Sequence, residues 1–334
     1  MKGRRILWIL SNQRIRSERV VLMKPIRIAT RGSELALTQA RYVAGRVQDE
    51  LKQDTELVVI TTTGDRIQDR SLAKIGGKGL FIKEIEESLL EGRADVAVHS
   101  AKDLPAEIAA GLELSAFPQR EDPRDALVGR KVGQTIEGLS RGARVGTGST
   151  RRASQLLALR PDLEIVPLRG NVPTRIEKIQ TEDLEAVILA CAGLDRLGLS
   201  EMISQRISPE VMLPAVCQGM LALETRRGED LSKEVSRLDS PENAVAAMAE
   251  RSFLSHLGGD CTIPLAAHCE KLGEDRIEVR ACLASLDGVT LLRSEAQGSF
   301  ASAADIGKHL ADEILSSGGR ALLDDLRSEA EGNP

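Results

Sequence analysis

Residues 26–61 read IRIATRGSELALTQARYVAGRVQDELKQDTELVVIT, and this stretch sets the fold class. Ile26 to Thr30 is a short, mostly apolar run that predicts a strand. Ser33 is a suitable N-cap, and Leu37, Ala40, Ala44, Val47 and Leu51 then recur at helical spacing. Leu57 to Thr61 predicts a second strand. Further on, residues 80–90 predict a helix and 95–98 a buried strand. This alternation predicts an α/β layer on a largely parallel sheet. The polar, glycine- and lysine-rich stretch 64–79 lacks periodicity and is long for a connector, so it is expected to be a mobile lid.

The pattern restarts after Pro123. Strands are predicted at 144–147, 163–168 and 186–190. Ser149 suits the cap of a predicted helix running to Leu159, and a second helix is predicted over 172–179. A strand at 220–224 is expected to return to the first unit. Beyond it the plan changes. A helix over 242–257 leads into the loop Gly258-Gly-Asp-Cys261, then come three strand-like runs near 263–268, 276–284 and 289–293, and two closing helices. The expected architecture is two α/β lobes and a small C-terminal α+β domain. The boundaries are 24–120 with 217–238, 121–216, and 239–330.

Composition narrows the function. With 334 residues, two or three cores are expected. Aromatics are only 2% and the formal net charge is −5, which argues against nucleic-acid stacking and a global field for polyanions. No apolar run approaches the roughly 20 residues of a membrane helix. Five cysteines at irregular spacing suit thiols in a reducing compartment, hence the cytoplasm. Residues 1–23 are expected to be an N-terminal extension. They carry Arg4, Arg5, Arg14, Arg16 and Arg19 around a short apolar patch, which suits either a targeting segment or a start assigned too early. Met23 as the true first residue is the preferred reading.

Three constellations carry chemistry. Arg31, Arg151, Arg152, Arg169, Arg175 and Arg196 all fall just past predicted strands. Ligands of doubly wound folds bind there, and guanidinium groups hold carboxylates through paired hydrogen bonds. Any one of these arginines equally suits a surface ion pair, but six together favour a cleft for a polycarboxylate or phosphate. Asp103 follows the strand 95–98 and can hold a proton during bond cleavage; pairing with Lys102 or capping a turn are the alternatives. Cys261, among glycines, is a nucleophile, an attachment point or an incidental small residue. Zinc at His256, Cys261, His268 and Cys269 is disfavoured, because neighbours in a strand point to opposite faces. The stretch 146–151 lacks the third glycine of a dinucleotide loop, and 76–79 is no P-loop.

Together these pieces resemble the porphobilinogen deaminase family, also called hydroxymethylbilane synthases, from Ile26 to the closing helices. The motifs that carry the resemblance are Arg27-Ile-Ala-Thr-Arg-Gly-Ser33, Lys74-Ile-Gly-Gly-Lys-Gly-Leu-Phe81, Ala97-Val-His-Ser-Ala-Lys-Asp-Leu-Pro105, Arg120-Glu-Asp-Pro-Arg-Asp125 and Leu168-Arg-Gly-Asn171. The resemblance implies two lobes similar to type II periplasmic binding proteins and a third domain that presents the cofactor cysteine. It implies a dipyrromethane cofactor bonded through a thioether to Cys261, with Asp103 as the catalytic acid. Cofactor contacts would come from Lys102, Ser33, Arg151, Arg152, Thr147, Ser149, Arg175, Arg196 and Gly193. Substrate contacts would come from Arg31, Arg169, Arg175, Gln39, Lys74, Lys78 and Phe81. No metal is implied, and the expected chain is a monomer without nucleic-acid or membrane partners. Asp260 and Cys217 stand where glycine is common in the family.

The activity so implied joins four porphobilinogen units head to tail into hydroxymethylbilane with release of ammonia. Each unit adds two carboxylates, which gives the arginines a physical reason. Two other classes fit parts of the sequence: a carboxylate-binding protein without catalysis, and an enzyme that uses Cys261 directly as nucleophile. Neither needs all of the motifs above.

Overall fold

The computed structural model describes residues 24–66, 82–258 and 263–332. The opening stretch folds as its spacing predicts. Strand β1 (Ile26–Arg31) leads through Ser33, whose hydroxyl accepts from the Ala36 amide, into α1 (Glu34–Arg46). The helix runs on through Leu51 until Lys52 turns left-handed at φ 58°. Strand β2 (Thr55–Ile60) then lies parallel to β1. After the short turn α2 (Thr63–Arg66) come α3 (Lys83–Leu90), β3 (Val96–Ser100) and β4 (Leu112–Ala116). Both faces of β1 are covered. Ile26 and Ile28 meet Ala40, Val43 and Val47, while Ala29 meets Ile85 and Leu89. Full burial of an aliphatic side chain such as Ile28 is worth roughly 1.5–3 kcal/mol.

The second lobe repeats this plan with β5 (Asp125–Gly129), β6 (Arg144–Gly146), α4 (Thr150–Leu159), β7 (Glu164–Val166), α5 (Val172–Thr181), β8 (Ala186–Ala190), α6 (Cys191–Arg196) and β9 (Gln205–Ile207). The chain then returns as β10 (Leu221–Arg226), followed by α7 (Asp230–Val235). The two five-stranded sheets have the orders β2-β1-β3-β10-β4 and β7-β6-β8-β5-β9. They are the same sheet built twice, with one strand in each delivered from the other lobe.

The sheets are largely parallel, as expected, and the exchanged strand is the exception in each. In each sheet four strands point the same way; β10 runs antiparallel to its neighbours β3 and β4, and β5 to its neighbours β8 and β9. Parallel neighbours need a crossover helix between them. The exchanged strands arrive directly from the other lobe without one. Where the two crossings run side by side, the Glu121 amide donates to the Gly219 carbonyl. Gly219 has φ 88°, and a Cβ there would sit 2.5 Å from the Glu121 carbonyl oxygen, so only glycine suits the position.

The third region packs α8 (Pro241–Leu257) and α9 (Ala303–Ile314) on an antiparallel sheet of β11 (Leu265–Gly273), β12 (Arg276–Ala284) and β13 (Leu291–Gly298), with α10 (Arg320–Gly332) closing the chain. Phe253 is fully buried at its centre. This region is clamped to the crossings by Glu250 of α8, which is also fully buried. Its carboxylate accepts from Arg120 at 2.8 Å, from the Cys269 amide at 2.9 Å, and from the Cys217 amide. The fold is therefore α/β in two matching lobes, with a small α+β domain fixed at the hinge.

Candidate active site

The lobes face each other across the carboxyl ends of β1, β3, β6 and β8. On the first lobe, β3 ends at Ser100 and a tight turn, Ala101–Asp103, carries the chain outward. Asp103 is exposed and lines a cavity with Arg31, Ser33, Gln39, His99 and Ser100. Gln39 is buried and donates to the Ser100 hydroxyl at 2.9 Å, which ties α1 to the end of β3. Ser33 has one role already, as the cap of α1, because its oxygen accepts from Ala36.

On the second lobe, β6 ends in Gly146 and Thr147, and Ser149 caps α4 by accepting from the Arg152 amide. The Ser149 amide donates to the Thr147 hydroxyl at 3.2 Å. These contacts fix the first turn of α4, which carries Arg151 and Arg152. Both arginines are only 5% exposed, so their charges need partners. They converge on one carboxylate, Asp125, at the start of β5. Arg151 donates to it at 2.7 and 3.2 Å and Arg152 at 2.9 Å, while the Gln218 amide adds a bond at 2.9 Å. Each arginine also donates to a backbone carbonyl, Leu213 for Arg151 and Ile188 for Arg152.

This cluster is cation-rich. Despite its burial, Asp125 is held far below the usual carboxylate range by Arg151, Arg152 and Gln218. Desolvation pulls Arg152 down, with Arg151 adding to the effect. Lys102 is pulled down to about 8, first by desolvation and then by Arg152, against the attraction of Asp103 and Asp125. Desolvation also lowers Arg175, where Arg152 and Arg169 oppose its charge and Asp103 supports it. Arg175 donates to the Gly170 carbonyl at 2.7 Å, and Arg196 to the Gly219 carbonyl at 2.8 Å. Arg196 is lowered by desolvation too, with Glu121 as its main support. Arg169 is exposed at the end of the same strand region. Gly193 lies where the lobes approach; a Cβ there would be 3.8 Å from Leu35 of α1 and from Val172 of α5.

The structure thus places Lys102 within electrostatic reach of Asp103, Asp125, Arg151 and Arg152, and Arg175 within reach of Asp103, Arg152 and Arg169. Arg31, Ser33 and Gln39 sit in the cavity beside Asp103, and Arg196 is held at the hinge. Cys261, Lys74, Lys78 and Phe81, together with 67–79 of the expected lid and the extension 1–23, lie outside the described residues. Asp125 and Gln218 were not singled out as site residues from the sequence. Asp125 sits inside a quoted motif, but its partners are 26 and 27 positions away and only the fold joins them. Among the described residues no group of three or more His, Cys, Asp or Glu side chains could hold a metal. His256 pairs with Asp312 and His268 with Glu270.

Residues 26–234 match the family model described as porphobilinogen deaminase, dipyromethane cofactor binding domain, and 244–316 match its C-terminal domain. The chain belongs to the porphobilinogen deaminase family. A porphobilinogen deaminase of Syntrophus aciditrophicus is 50% identical over 311 residues, which cover 92% of this chain and all of that one. One of Syntrophomonas wolfei is 47% identical over 307 residues, 91% of this chain and all of that one. Solved structures with a looser likeness include the second substrate binding domain of a putative amino acid ABC transporter from Streptococcus pneumoniae. It has a TM-score of 0.42 at 12% identity, covering 70% of this chain and 95% of that one. The L-cystine solute receptor of Neisseria gonorrhoeae has a TM-score of 0.38 at 13% identity, covering 71% and 94%. As a porphobilinogen deaminase family member, the chain is a transferase of tetrapyrrole biosynthesis with a dipyrromethane cofactor. The donor set fits that group. A dipyrromethane bears acetate and propionate arms, and Lys102, Arg151, Arg152 and Arg175 outnumber the carboxylates Asp103 and Asp125 that face them.

Proposed function

We propose that this chain condenses porphobilinogen units stepwise on a dipyrromethane held at Cys261, with Asp103 as the acid that releases ammonia. The observation that carries this reading is the pairing of a cation-rich, largely desolvated cluster with one exposed carboxylate at its mouth. When bound, the dipyrromethane supplies a nucleophilic ring carbon. Lys102, Arg151, Arg152 and Arg175 bind its carboxylate arms, with Ser149 and Thr147 setting the turn that aims the two adjacent arginines. Arg31, Gln39, Arg169 and Ser33 orient the incoming substrate beside Asp103. Asp103 gives a proton to the departing amine, then as a carboxylate stabilises the cationic azafulvene left behind.

Lys74, Lys78 and Phe81 belong to the proposed lid over this site, and Arg196 and Gly193 to the surface on which the lobes meet. The lobes, residues 24–120 with 217–238 and residues 121–216, would separate as the product grows, while 239–330 carries the cysteine. We take the chain to act as a cytoplasmic monomer; among its described residues no helix is long and apolar enough to cross a membrane. Intact mass spectrometry of the purified protein tests the reading directly. A dipyrromethane adduct that disappears in Cys261→Ala supports it. Active, unmodified protein would overturn it and favour direct nucleophilic catalysis, and an unmodified, inactive protein that binds carboxylates would favour a binding role.

A further inference from the structure

The condensation has two proton transfers of opposite sense. One proton must reach the departing amine, and one must leave the ring carbon that forms the new bond. Asp103 suits the first. The cavity it lines contains one other titratable side chain that is neither a cation nor at the surface, His99. His99 is 6% exposed, and its Nε2 lies 2.9 Å from Oε2 of Glu224, which is fully buried on the neighbouring strand β10. A carboxylate only accepts, so a neutral ring beside it carries its proton on Nε2 and keeps the Nδ1 lone pair. The other oxygen of Glu224 is sealed from solvent and has no hydrogen-bond partner among the described residues. A buried carboxylate left half-satisfied is placed to balance a positive charge on the ring it holds. Among the described residues, Glu86 of α3 and Arg251 of α8 also act on the pair, the latter held on the Pro105 and Ala106 carbonyls.

We infer that His99, oriented by Glu224, is the base that takes the proton lost when each new carbon–carbon bond is made. This inference rests on the proposed function above and assigns its second proton transfer. Asp103 first gives its proton to the amine, which leaves as ammonia. After the bond forms, the C–H bond at the attacking ring carbon breaks. Its electron pair returns to the ring, and the proton moves to His99 Nδ1. Glu224 balances the imidazolium. Return of that proton to the Asp103 carboxylate, within the same cavity, restores both groups, so each cycle consumes and creates no net proton on the protein.

Two measurements test this. The chain has four histidines, so protein labelled with ¹⁵N at histidine gives few ring signals, and His99→Gln assigns the one concerned. The expected form in the parent is the Nε2–H tautomer; an Nδ1–H tautomer would leave no lone pair for the base and overturn the inference. The second measurement uses porphobilinogen deuterated at its free ring carbon. His99→Gln is expected to lower kcat about 10²-fold, and to raise the deuterium isotope effect on kcat because proton removal becomes limiting. Glu224→Gln, which keeps the volume, should do the same to a smaller extent and serves if His99→Gln does not fold. Parent-like kcat in the variants, or a lower kcat without a larger isotope effect, overturns the role of His99. The proposed function itself stands or falls separately, on the adduct mass and on product formation by the parent.

Discussion

The sharpest consequence of the structure concerns Asp125, a residue that touches neither exposed surface nor the mouth of the site. Asp125→Asn keeps the shape but removes the charge that two buried guanidinium groups share. Breaking a buried ion pair from one side is worth about 3–5 kcal/mol, and Lys102 nearby adds a third cation to the repulsion. The upper half of that range is therefore expected in protein without cofactor. For a cooperative unit of 150–250 residues each kcal/mol moves Tm by roughly 2–4 °C, so a fall of about 8–20 °C follows. In cofactor-loaded protein the ligand's own carboxylates face the same cations, and the fall should be clearly smaller. The acid dependence has a defined sign. Asp125 is depressed in the fold, so its contribution is present above its unfolded value of about 3.9 and is lost as pH falls through the depressed one. The variant should accordingly lose stability less steeply below pH ~4 than the parent does. Calorimetry on both forms at several pH values measures all of this. A loss below about 1 kcal/mol without cofactor would refute the charge argument, and equal losses in both forms would refute the sharing of the cluster with bound carboxylates.

Other outcomes are expected. Asp103→Asn should lower kcat by at least about 10²-fold with an unchanged melting curve, since its side chain is exposed; near-parent turnover removes it from the chemistry. Lys102 should titrate near 8 without cofactor and higher once carboxylates face it, measured by NMR of the labelled amine; an unchanged value on loading would detach it from the cofactor. Because that native value lies below the unfolded one of about 10.4, stability should rise between those two pH values, and Lys102→Met should remove the rise. Cys261→Ala should yield protein without the dipyrromethane mass, and an adduct on another residue would relocate the attachment.

The sequence made the repeated strand–helix units legible because their signals are local. Ser33 and Ser149 cap the helices they were expected to cap, and the β1–α1–β2 spacing folds as read. Strands β4, β5 and β9 escaped notice. They are three to five residues long and are held by pairing with strands far along the chain, so no local period announces them. The reversed direction of β5 and β10 escaped for the same reason, since direction depends on which lobe a strand comes from. In the site, the arginines were visible because they follow strands. Asp125, Gln218 and Glu224 were not, because a lone acid or amide in an apolar run acquires meaning only from its partner across the fold. The buried dyad is the extreme case, with 125 residues separating His99 from Glu224.

The residues that hold the cations are also the residues that join the lobes. Gln218 donates to Asp125 and to the Pro123 carbonyl, so it spans both crossings. Arg196 reaches from α6 to the carbonyl of Gly219, and Arg120 reaches from the first crossing to the Gln218 carbonyl and to Glu250 of the third domain. Cys217, in a left-handed conformation at φ 57°, has its amide fixed by that same Glu250. Among these contacts the Gln218–Asp125 bond is the link between the second crossing and the carboxylate that Arg151 and Arg152 share, so a displacement of that crossing acts on Asp125 directly and on the two arginines through it.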